Sequence, residues 1–340
     1  MKILIVGPSW VGDSVISQSL FKVIKTNYAD SKIDVLAPKW TRDIFERMEE
    51  VSETVLLPFD HGDFKFGDRA KLGKSLKNRS YDQSIVLPNS IKSALVPFYA
   101  DIPLRTGWIG EFRYILLNDL RKLKEVSYPR MVDRFVALGL EESDKLPSDT
   151  PYPSLEIDEE NLNKLSSKHG IDLDKPSLAF CPGAEFGPAK RWPSYYFSEV
   201  AKEFSLKGWQ IILLGSKNDI PVGEQIQLSL SSNNLVLNLI GKTSLVDAVD
   251  ILSLPQVVLS NDSGLMHITA ALNTKLLALY GPSSPDFTPP LSDNCVVIRK
   301  GEGYSKVRKG LDPDGYHQSL LDIKSSEVIE RLYSMTNSQI

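Results

Sequence analysis

The residues that first suggest chemistry form a polar turn at the end of an apolar run, Asn261-Asp262-Ser263-Gly264-Leu265-Met266-His267. The run before the turn predicts a buried strand, and the spacing after it predicts a helix. The first amides of such a helix lack partners within it, and a phosphate can accept hydrogen bonds from them. Asp262 would repel a phosphate, so we expect it to bind hydroxyl groups beside one, which suggests a nucleotide-sugar. The alternative is that Asp262 or Ser263 only caps a structural helix.

A second carboxylate, Asp13, follows the first predicted strand of the chain. The loop over residues 7–13 reads Gly-Pro-Ser-Trp-Val-Gly-Asp and lies between a strand-like run at 2–6 and helical spacing at 14–27. Its glycines, Gly7 and Gly12, allow the backbone to approach a ligand closely. Asp13 is either the N-cap of that helix or a carboxylate at the mouth of a sheet that can take a proton.

Basic residues are concentrated in one part of the first half. Between residues 65 and 130, thirteen Lys or Arg face six Asp or Glu, although the whole chain has a net charge of -4. This asymmetry indicates either a solvated helix face or a landing surface for an anionic substrate. Lys92, Arg105 and Arg113 are the candidates, because the segments at 90–93 and 105–108 follow strand-like runs and residues after strand ends line the crevice of an open sheet.

The elements that must position these residues alternate between strands and helices along the chain. Such alternation predicts an α/β protein with parallel sheets covered by helices on both faces. The series occurs twice, separated by a polar stretch at 141–160 that contains Pro147, Pro151 and Pro153 and indicates a linker. A chain of 340 residues is long enough for two cores. We expect domains at 1–155 and 156–322, with a final helix within 323–340.

In the second series, four successive predicted strands end in glycine with small polar residues, at 215–219, 241–244, 260–264 and 280–285. All four ends would open on one side of a parallel sheet, which favours a nucleotide site along that rim over turn chemistry alone. Lys190, in a long loop after another strand, is suited to balance a diphosphate, or it is a solvated loop lysine. His267 either binds a ligand or packs against the sheet.

Composition limits the function classes. A negative net charge argues against nucleic acid as the main partner. No apolar run approaches the roughly 18 residues of a membrane span, and the opening is too short for a signal sequence, so we expect a cytoplasmic protein without a transmembrane segment. Cys181 and Cys295 are the two cysteines; their flanks predict strands, and neither forms a metal-like pattern with the four histidines.

These motifs resemble those of glycosyltransferase family 9, the lipopolysaccharide heptosyltransferases. The likeness is carried by Asp262-Ser263-Gly264-x-x-His267, by the first loop ending in Gly12-Asp13, and by longer blocks at 87–90, 181–193, 280–290 and 315–320. It covers nearly the whole chain. It implies a GT-B fold, two Rossmann-like domains whose parallel sheets face each other across a cleft, with the acceptor on the first and ADP-heptose on the second. It also implies that the final helix returns to the first domain.

The resemblance further implies roles for the candidates. Heptose would be transferred with inversion, with Asp13 as the general base that takes the proton from a hydroxyl of an inner-core heptose already on the acceptor. Lys190 would balance charge on the departing diphosphate, aided by amides around Ser263 and Gly264. The remaining assignments are Asp262 and His267 at the heptose, Thr243 and Ser244 at the nucleoside, Asp219 at the ribose, and Gly12, Lys92, Arg105 and Arg113 at the lipopolysaccharide core. The acceptor would be presented at the inner face of the membrane, and no metal is required, although magnesium could accompany the donor diphosphate.

Two other classes compete with this interpretation. A nucleotide-sugar epimerase also uses two facing Rossmann-like domains, but it needs no second substrate and leaves the basic stretch unexplained. A non-catalytic ADP-binding module leaves the Asp13 loop without a role. Hydride transfer is not favoured, because neither half contains GxGxxG followed by an acidic residue about twenty positions later.

Overall fold

The computed structural model describes residues 1–60, 62–230 and 233–336. The chain forms two compact units, Met1–Ser154 and Leu155–Ile340, so the division falls one residue from the expected boundary. Among the described residues, every helix is too short or too polar to span a bilayer.

The sheet of unit 1 has six parallel strands in the order β3-β2-β1-β4-β5-β6. Helices cover both faces of a parallel sheet, so its inner strands are buried on both sides and have continuous apolar sequences. In the first strand, Leu4 and Ile5 are completely buried. The strands are β1 (Lys2–Val6), β2 (Lys32–Pro38), β3 (Val51–Leu57), β4 (Gln83–Val86), β5 (Leu104–Trp108) and β6 (Asp119–Arg121).

Unit 1 has six α-helices, five of which lie between its strands and one of which follows β6. They are α1 (Val11–Ile16), α2 (Gln18–Asn27), α3 (Lys39–Phe45), α4 (Phe66–Leu76), α5 (Leu95–Tyr99) and α6 (Met131–Leu138), with 3-10 turns at Lys77–Arg79 and Ile91–Ala94. The single helix expected over 14–27 is two helices that meet at Ser17. The Ser17 hydroxyl donates to the carbonyl of Ser14 at 2.7 Å, a local bond of the kind that competes with helix continuation.

The sheet of unit 2 is built in the same way, in the order β12-β11-β10-β7-β8-β9, again with every pair parallel. Cys181 ends one of its strands and Cys295 begins another, as predicted, and both thiols are free. The strands are β7 (Ser177–Cys181), β8 (Gln210–Leu213), β9 (Val236–Asn238), β10 (Val257–Asn261), β11 (Leu276–Tyr280) and β12 (Cys295–Arg299).

The helices of unit 2 begin inside the stretch expected to be a linker. Asp158 caps the first of them by accepting from the Asn161 amide at 3.0 Å. The helices are α7 (Glu159–His169), α8 (Ser194–Leu206), α9 (Ile220–Leu228), α10 (Leu245–Leu252), α11 (Gly264–Ala271), α12 (Gln318–Leu321) and α13 (Ser325–Thr336), with 3-10 turns at Pro188–Lys190 and Lys217–Asp219.

The closing helix α13 corrects one expectation. It was assigned to the first domain, but its described residues pack into the core of unit 2. The Tyr333 ring stacks on Phe204 of α8 with centroids 4.8 Å apart, and its hydroxyl donates to Glu203 at 2.6 Å. Val328 and Leu332 are fully buried in the same core. The apolar stripe of α13 therefore packs against α8. Residues 337–340 lie outside the described ranges.

Candidate active site

The strand order of unit 1 reverses between β1 and β4, and the loops that leave these two strands diverge. Ligands of open α/β sheets bind in the crevice created at such a reversal, beyond the carboxyl ends of the strands. A cavity of about 380 Å³ lies there in unit 1. Asp13, Trp10 and Lys92 border it, together with Trp40 of α3, the helix that follows β2.

Asp13 borders this cavity but is not a helix cap. The N-cap of α1 is Trp10, whose carbonyl accepts from the Ser14 amide at 2.9 Å, and Asp13 is the third residue of the helix, directly after Gly12. The structural alternative for this residue, an N-cap, is therefore wrong. The carboxylate is held at the mouth of the sheet, where a ligand in the cavity can reach it.

Arg113 was expected to bind the acceptor, and the structure corrects this. Its side chain is completely buried. The guanidinium donates to the carbonyls of Pro88 at 2.6 Å and Trp108 at 2.7 Å, and to the Ser93 hydroxyl at 3.2 Å. Burial lowers the pKa of Arg113 to about 10, and the charge of Glu111 opposes this. Arg113 ties together the segments after β4 and β5 and does not line the cavity.

Arg105 was placed after a strand end, and this is also corrected. It is the second residue of β5, paired with Ser84 of β4. It therefore lies near the amino end of its strand, opposite the edge where the cavity opens. Its Nε donates to the Leu116 carbonyl at 2.7 Å and its Nη1 to the Ile102 carbonyl at 2.5 Å. Of the three basic candidates, only Lys92 borders the cavity.

Two cavity-lining arginines were not singled out from the sequence. Arg69 donates to the Phe64 carbonyl at 2.7 Å, and Arg134 donates to the Tyr128 carbonyl at 3.1 Å. Burial lowers the pKa of Arg69. Arg134 belongs to α6, where Met131 and Phe135 line the same cavity, and no motif in the sequence marked it.

In unit 2 the strand order reverses between β7 and β10, and Asn261 joins the loops that leave them. Its Nδ2 donates to the Pro182 carbonyl at 2.7 Å, and its Oδ1 accepts from the Trp192 amide at 3.0 Å. Both ends of the long loop after β7 are thus fixed to the end of β10. This fixation places Lys190 beside the turn that starts α11.

Lys190 and Asp262 form an ion pair in that turn, with Nζ and Oδ2 2.6 Å apart. The carboxylate is 6% exposed and the lysine side chain 22% exposed, so the cation remains accessible to a ligand. His267, one turn into α11, is buried. Burial lowers the pKa of His267 to about 4; the Asp262 charge acts against this and the Lys190 charge adds to it. The imidazole is therefore neutral at physiological pH.

The start of α11 is left without a side-chain cap. Ser263 is the N-cap residue, in an extended conformation, and its hydroxyl makes no capping bond. Gly264 is the first residue of the helix. The capping alternative for this turn is therefore not what the structure contains, and the amides at the start of α11 stay available to an acceptor such as a phosphate.

Asp219 and Ser244 are used within the protein. The Asp219 carboxylate accepts from the amide and hydroxyl of Ser216 at 2.9 and 2.8 Å and faces Arg191 at 3.4 Å. Both of its oxygens therefore have protein partners, which argues against the predicted ribose contact. Ser244 caps α10 by accepting from the Asp247 amide at 3.2 Å. Thr243, half-buried, lies next to it.

Arg308 is a second cation near Lys190 that sequence reasoning did not single out. Its guanidinium carbon lies 5.4 Å from the centroid of Phe186, and the Lys190 ammonium lies 5.6 Å from the same ring. The Arg308 carbonyl accepts from the Ala189 amide at 3.2 Å. Gly187 allows this approach, because its φ is +145° and a Cβ there would lie 2.4 Å from that carbonyl oxygen.

The two parallel six-stranded sheets, each with polar residues at its strand reversal, match the fold of solved GT-B heptosyltransferases. The chain belongs to glycosyltransferase family 9 (heptosyltransferase), whose family model matches residues 69–316.

Several relatives are similar over their whole length. Lipopolysaccharide heptosyltransferase 2 of Salmonella typhimurium is 48% identical, with 100% of this chain and 99% of the relative covered. Lipooligosaccharide heptosyltransferase 2 of Haemophilus ducreyi is 49% identical, with 98% of each covered. The solved structure of E. coli ADP-heptose lps heptosyltransferase II is 44% identical, covers 99% of both chains and superposes with a TM-score of 0.91.

Proposed function

We propose that this chain is an inverting heptosyltransferase that moves L-glycero-D-manno-heptose from ADP-heptose to the first inner-core heptose of lipopolysaccharide. The observation that carries the proposal is the cluster of Lys190, Asp262 and His267 at the uncapped start of α11. It combines a cation for a diphosphate with a carboxylate for sugar hydroxyls. The full-length relatives named heptosyltransferase 2 indicate which sugar is moved.

The donor would be bound by exchange of partners in the ion pair. A diphosphate next to Lys190 offers a second anion, and the amides at the start of α11 can donate to the same phosphate oxygens. Asp262 can then accept hydrogen bonds from heptose hydroxyls. Lys190 would balance the charge that grows on ADP as the glycosidic bond breaks, a charge-stabilising role that removes the need for a metal ion.

The transfer would occur in one displacement. The acceptor hydroxyl oxygen forms a bond to the anomeric carbon while the bond from that carbon to the diphosphate oxygen breaks, and ADP leaves with the bonding electrons. The Asp13 carboxylate takes the proton of the attacking hydroxyl. Attack from the face opposite ADP inverts the anomeric configuration.

The cavity of unit 1 would receive the acceptor. Lys92 at its border provides a positive charge for a phosphorylated lipopolysaccharide core, and Trp10 and Trp40 provide aromatic faces for sugar rings. We propose that the enzyme meets this acceptor at the inner face of the inner membrane. Magnesium that arrives with the donor diphosphate is compatible with this scheme; in the described ranges, no three His, Cys, Asp or Glu side chains are grouped to hold a metal ion.

The test is the mass of the product after incubation with ADP-heptose and one of two truncated lipopolysaccharides. One acceptor ends in Kdo, and the other already carries a single heptose. We expect one heptose to be added to the second acceptor alone. Addition to the Kdo-terminated acceptor would assign the chain to the preceding transfer. No addition to either, with ADP still bound, would favour the binding module, and conversion of the donor to an isomer would favour the epimerase.

A further inference from the structure

Exposed apolar side chains are concentrated at one edge of the unit 1 sheet. We call this set the apolar rim, and it follows strands β5 and β6. Single exposed apolar residues are normal on protein surfaces, whereas a contiguous group marks an interaction site. The members and their exposed fractions are Ile109 at 41%, Phe112 at 88%, Tyr114 at 59%, Ile115 at 83% and Val126 at 97%.

The apolar rim is held in its exposed position. The buried Arg113 lies in sequence between Phe112 and Tyr114 and is anchored by its bonds to the Pro88 and Trp108 carbonyls. The neighbouring Glu111 amide donates to the Asn89 carbonyl at 3.2 Å. The backbone is thus anchored on both sides of Phe112, and this side chain is held out of the core.

Phe112 carries backbone strain as well as exposure. Its φ is +24°, a region that bulky L-residues rarely occupy. Strain of this kind persists where the surrounding structure imposes it, and it is concentrated at functional sites. Neither the acceptor cavity nor the donor cluster uses Phe112, so the strain has no role in the proposed transfer.

The second part of the rim is a turn with Val126 at its tip. The amides of Ser127 and Tyr128 both donate to the Lys124 carbonyl, at 2.9 and 3.1 Å. The Tyr128 ring packs against Trp108, with centroids 5.5 Å apart. Because β5 and β6 are parallel, the segments that follow them leave the same edge of the sheet.

The charges beside the rim are positive and accessible. Lys122 and Lys124 follow β6 and are exposed, and within the described ranges neither is in a salt bridge. The nearby acidic residues have partners: Glu111 accepts from the Ile91 amide at 3.0 Å, and Glu125 lies 3.9 Å from Arg134. The apolar side chains are thus flanked by available ammonium groups.

We infer that the apolar rim is a docking surface for an anionic lipid bilayer. Phe112, Ile115 and Val126 would enter the boundary between headgroups and acyl chains, and Lys122 and Lys124 would contact lipid phosphates. Apolar side chains flanked by lysines are the combination that binds anionic membrane surfaces. The rim also adjoins the cavity, because Trp108 and Leu123 line it. The inference deepens the proposed function, since a lipid-anchored acceptor would enter from the surface to which the rim binds.

The test is sedimentation of the full chain with acceptor-free vesicles of phosphatidylethanolamine and phosphatidylglycerol. Phe112→Ser with Ile115→Ser should lower partitioning by about tenfold or more, since two large apolar side chains are removed. Lys122→Glu with Lys124→Glu should lower it by about fivefold or more for each lysine, and only on anionic vesicles. The matched control is Leu311→Ser, because Leu311 is at least as exposed, at 106%, and belongs to unit 2.

A second measurement separates this inference from the proposed function. The double serine variant should retain wild-type thermal unfolding and wild-type heptose transfer to a deacylated, water-soluble acceptor. Failure of the wild type to transfer heptose would contradict the proposed function and leave the vesicle result standing. Equal partitioning of the wild type and the double serine variant would overturn the inference. So would a wild-type dimer that the same variant dissociates, because the rim would then bind a second copy of the chain.

Discussion

At the scale of single residues, the Lys190–Asp262 ion pair joins two charges that a bound donor would use separately. Replacing Lys190 with Ala should weaken ADP binding and lower kcat by about 10² to 10³, because the lysine faces the diphosphate before and during bond cleavage. ADP titration calorimetry and steady-state kinetics measure the two effects. Lys202→Ala is the control, since Lys202 is an exposed lysine on α8 of unit 2, outside the predicted nucleotide site. An unchanged kcat for Lys190→Ala would remove this residue from the mechanism.

Asp13 should behave differently, because its proposed task is confined to the chemical step. We expect Asp13→Asn to lower kcat by about 10² to 10⁴ with ADP affinity unchanged. Single-turnover rates and ADP titration distinguish these quantities. The exposed Asp43 of α3 provides the control variant Asp43→Asn. A parallel collapse of ADP affinity in Asp13→Asn would assign the residue a structural role.

His267 makes stability depend on pH in a defined window. Its pKa is lowered by burial from 6.5 to about 4 in the folded chain. Between these values the unfolded chain takes up a proton that the folded chain does not, so the free energy of unfolding falls as the pH falls. The effect amounts to about 3 kcal/mol at most. The free energy of unfolding, measured by chemical denaturation from pH 7.5 to 4, should depend less steeply on pH for His267→Gln than for the wild type. Parallel curves for the two proteins would contradict the assignment.

At the scale of secondary structure elements, the basic stretch of unit 1 separates into different roles. Lys92→Ala should raise the KM for the acceptor and leave that for the donor unchanged, because only Lys92 of the three predicted residues borders the cavity. Arg105→Ala should leave both KM values unchanged. Arg113→Ala should lower the free energy of unfolding by about 3 kcal/mol, since it leaves buried carbonyls without donors. Acceptor kinetics test the predictions for Lys92→Ala and Arg105→Ala, and urea denaturation tests the prediction for Arg113→Ala. A raised acceptor KM in Arg105→Ala would contradict this separation of roles.

The sequence was sufficient to predict the buried strands and the turn at Asp262, because parallel strands covered on both faces have continuously apolar sequences. It was insufficient for β6, which has three residues and includes Asp119 and Arg121 at the sheet edge. Helix α13 shows an apolar stripe, but a stripe does not say which core it enters. Arg113 could not be assigned because its acceptors, the Pro88 and Trp108 carbonyls, are brought to it by the fold.

At the scale of the whole molecule, each unit has its own sheet and its own hydrophobic core. ADP should therefore protect unit 2 selectively. At 100 times its Kd, ADP adds about 2.7 kcal/mol to the free energy of unfolding of the unit that binds it. Hydrogen exchange with mass spectrometry should show slower exchange at 182–193 and 261–267, with the segments of the unit 1 cavity unaffected. Equal protection of the 7–13 loop would contradict this separation.

The position of α13 in the core of unit 2 also has a consequence for synthesis on the ribosome. Every strand of that sheet emerges before the helix that supplies Val328, Leu332 and Tyr333. Until α13 leaves the ribosome, the apolar face of α8 that contacts it is uncovered. The nascent unit would then need the ribosomal exit tunnel or a chaperone to avoid aggregation. Premature termination in the codons for α13 would therefore yield a chain that contains every proposed catalytic residue but lacks part of the unit 2 core.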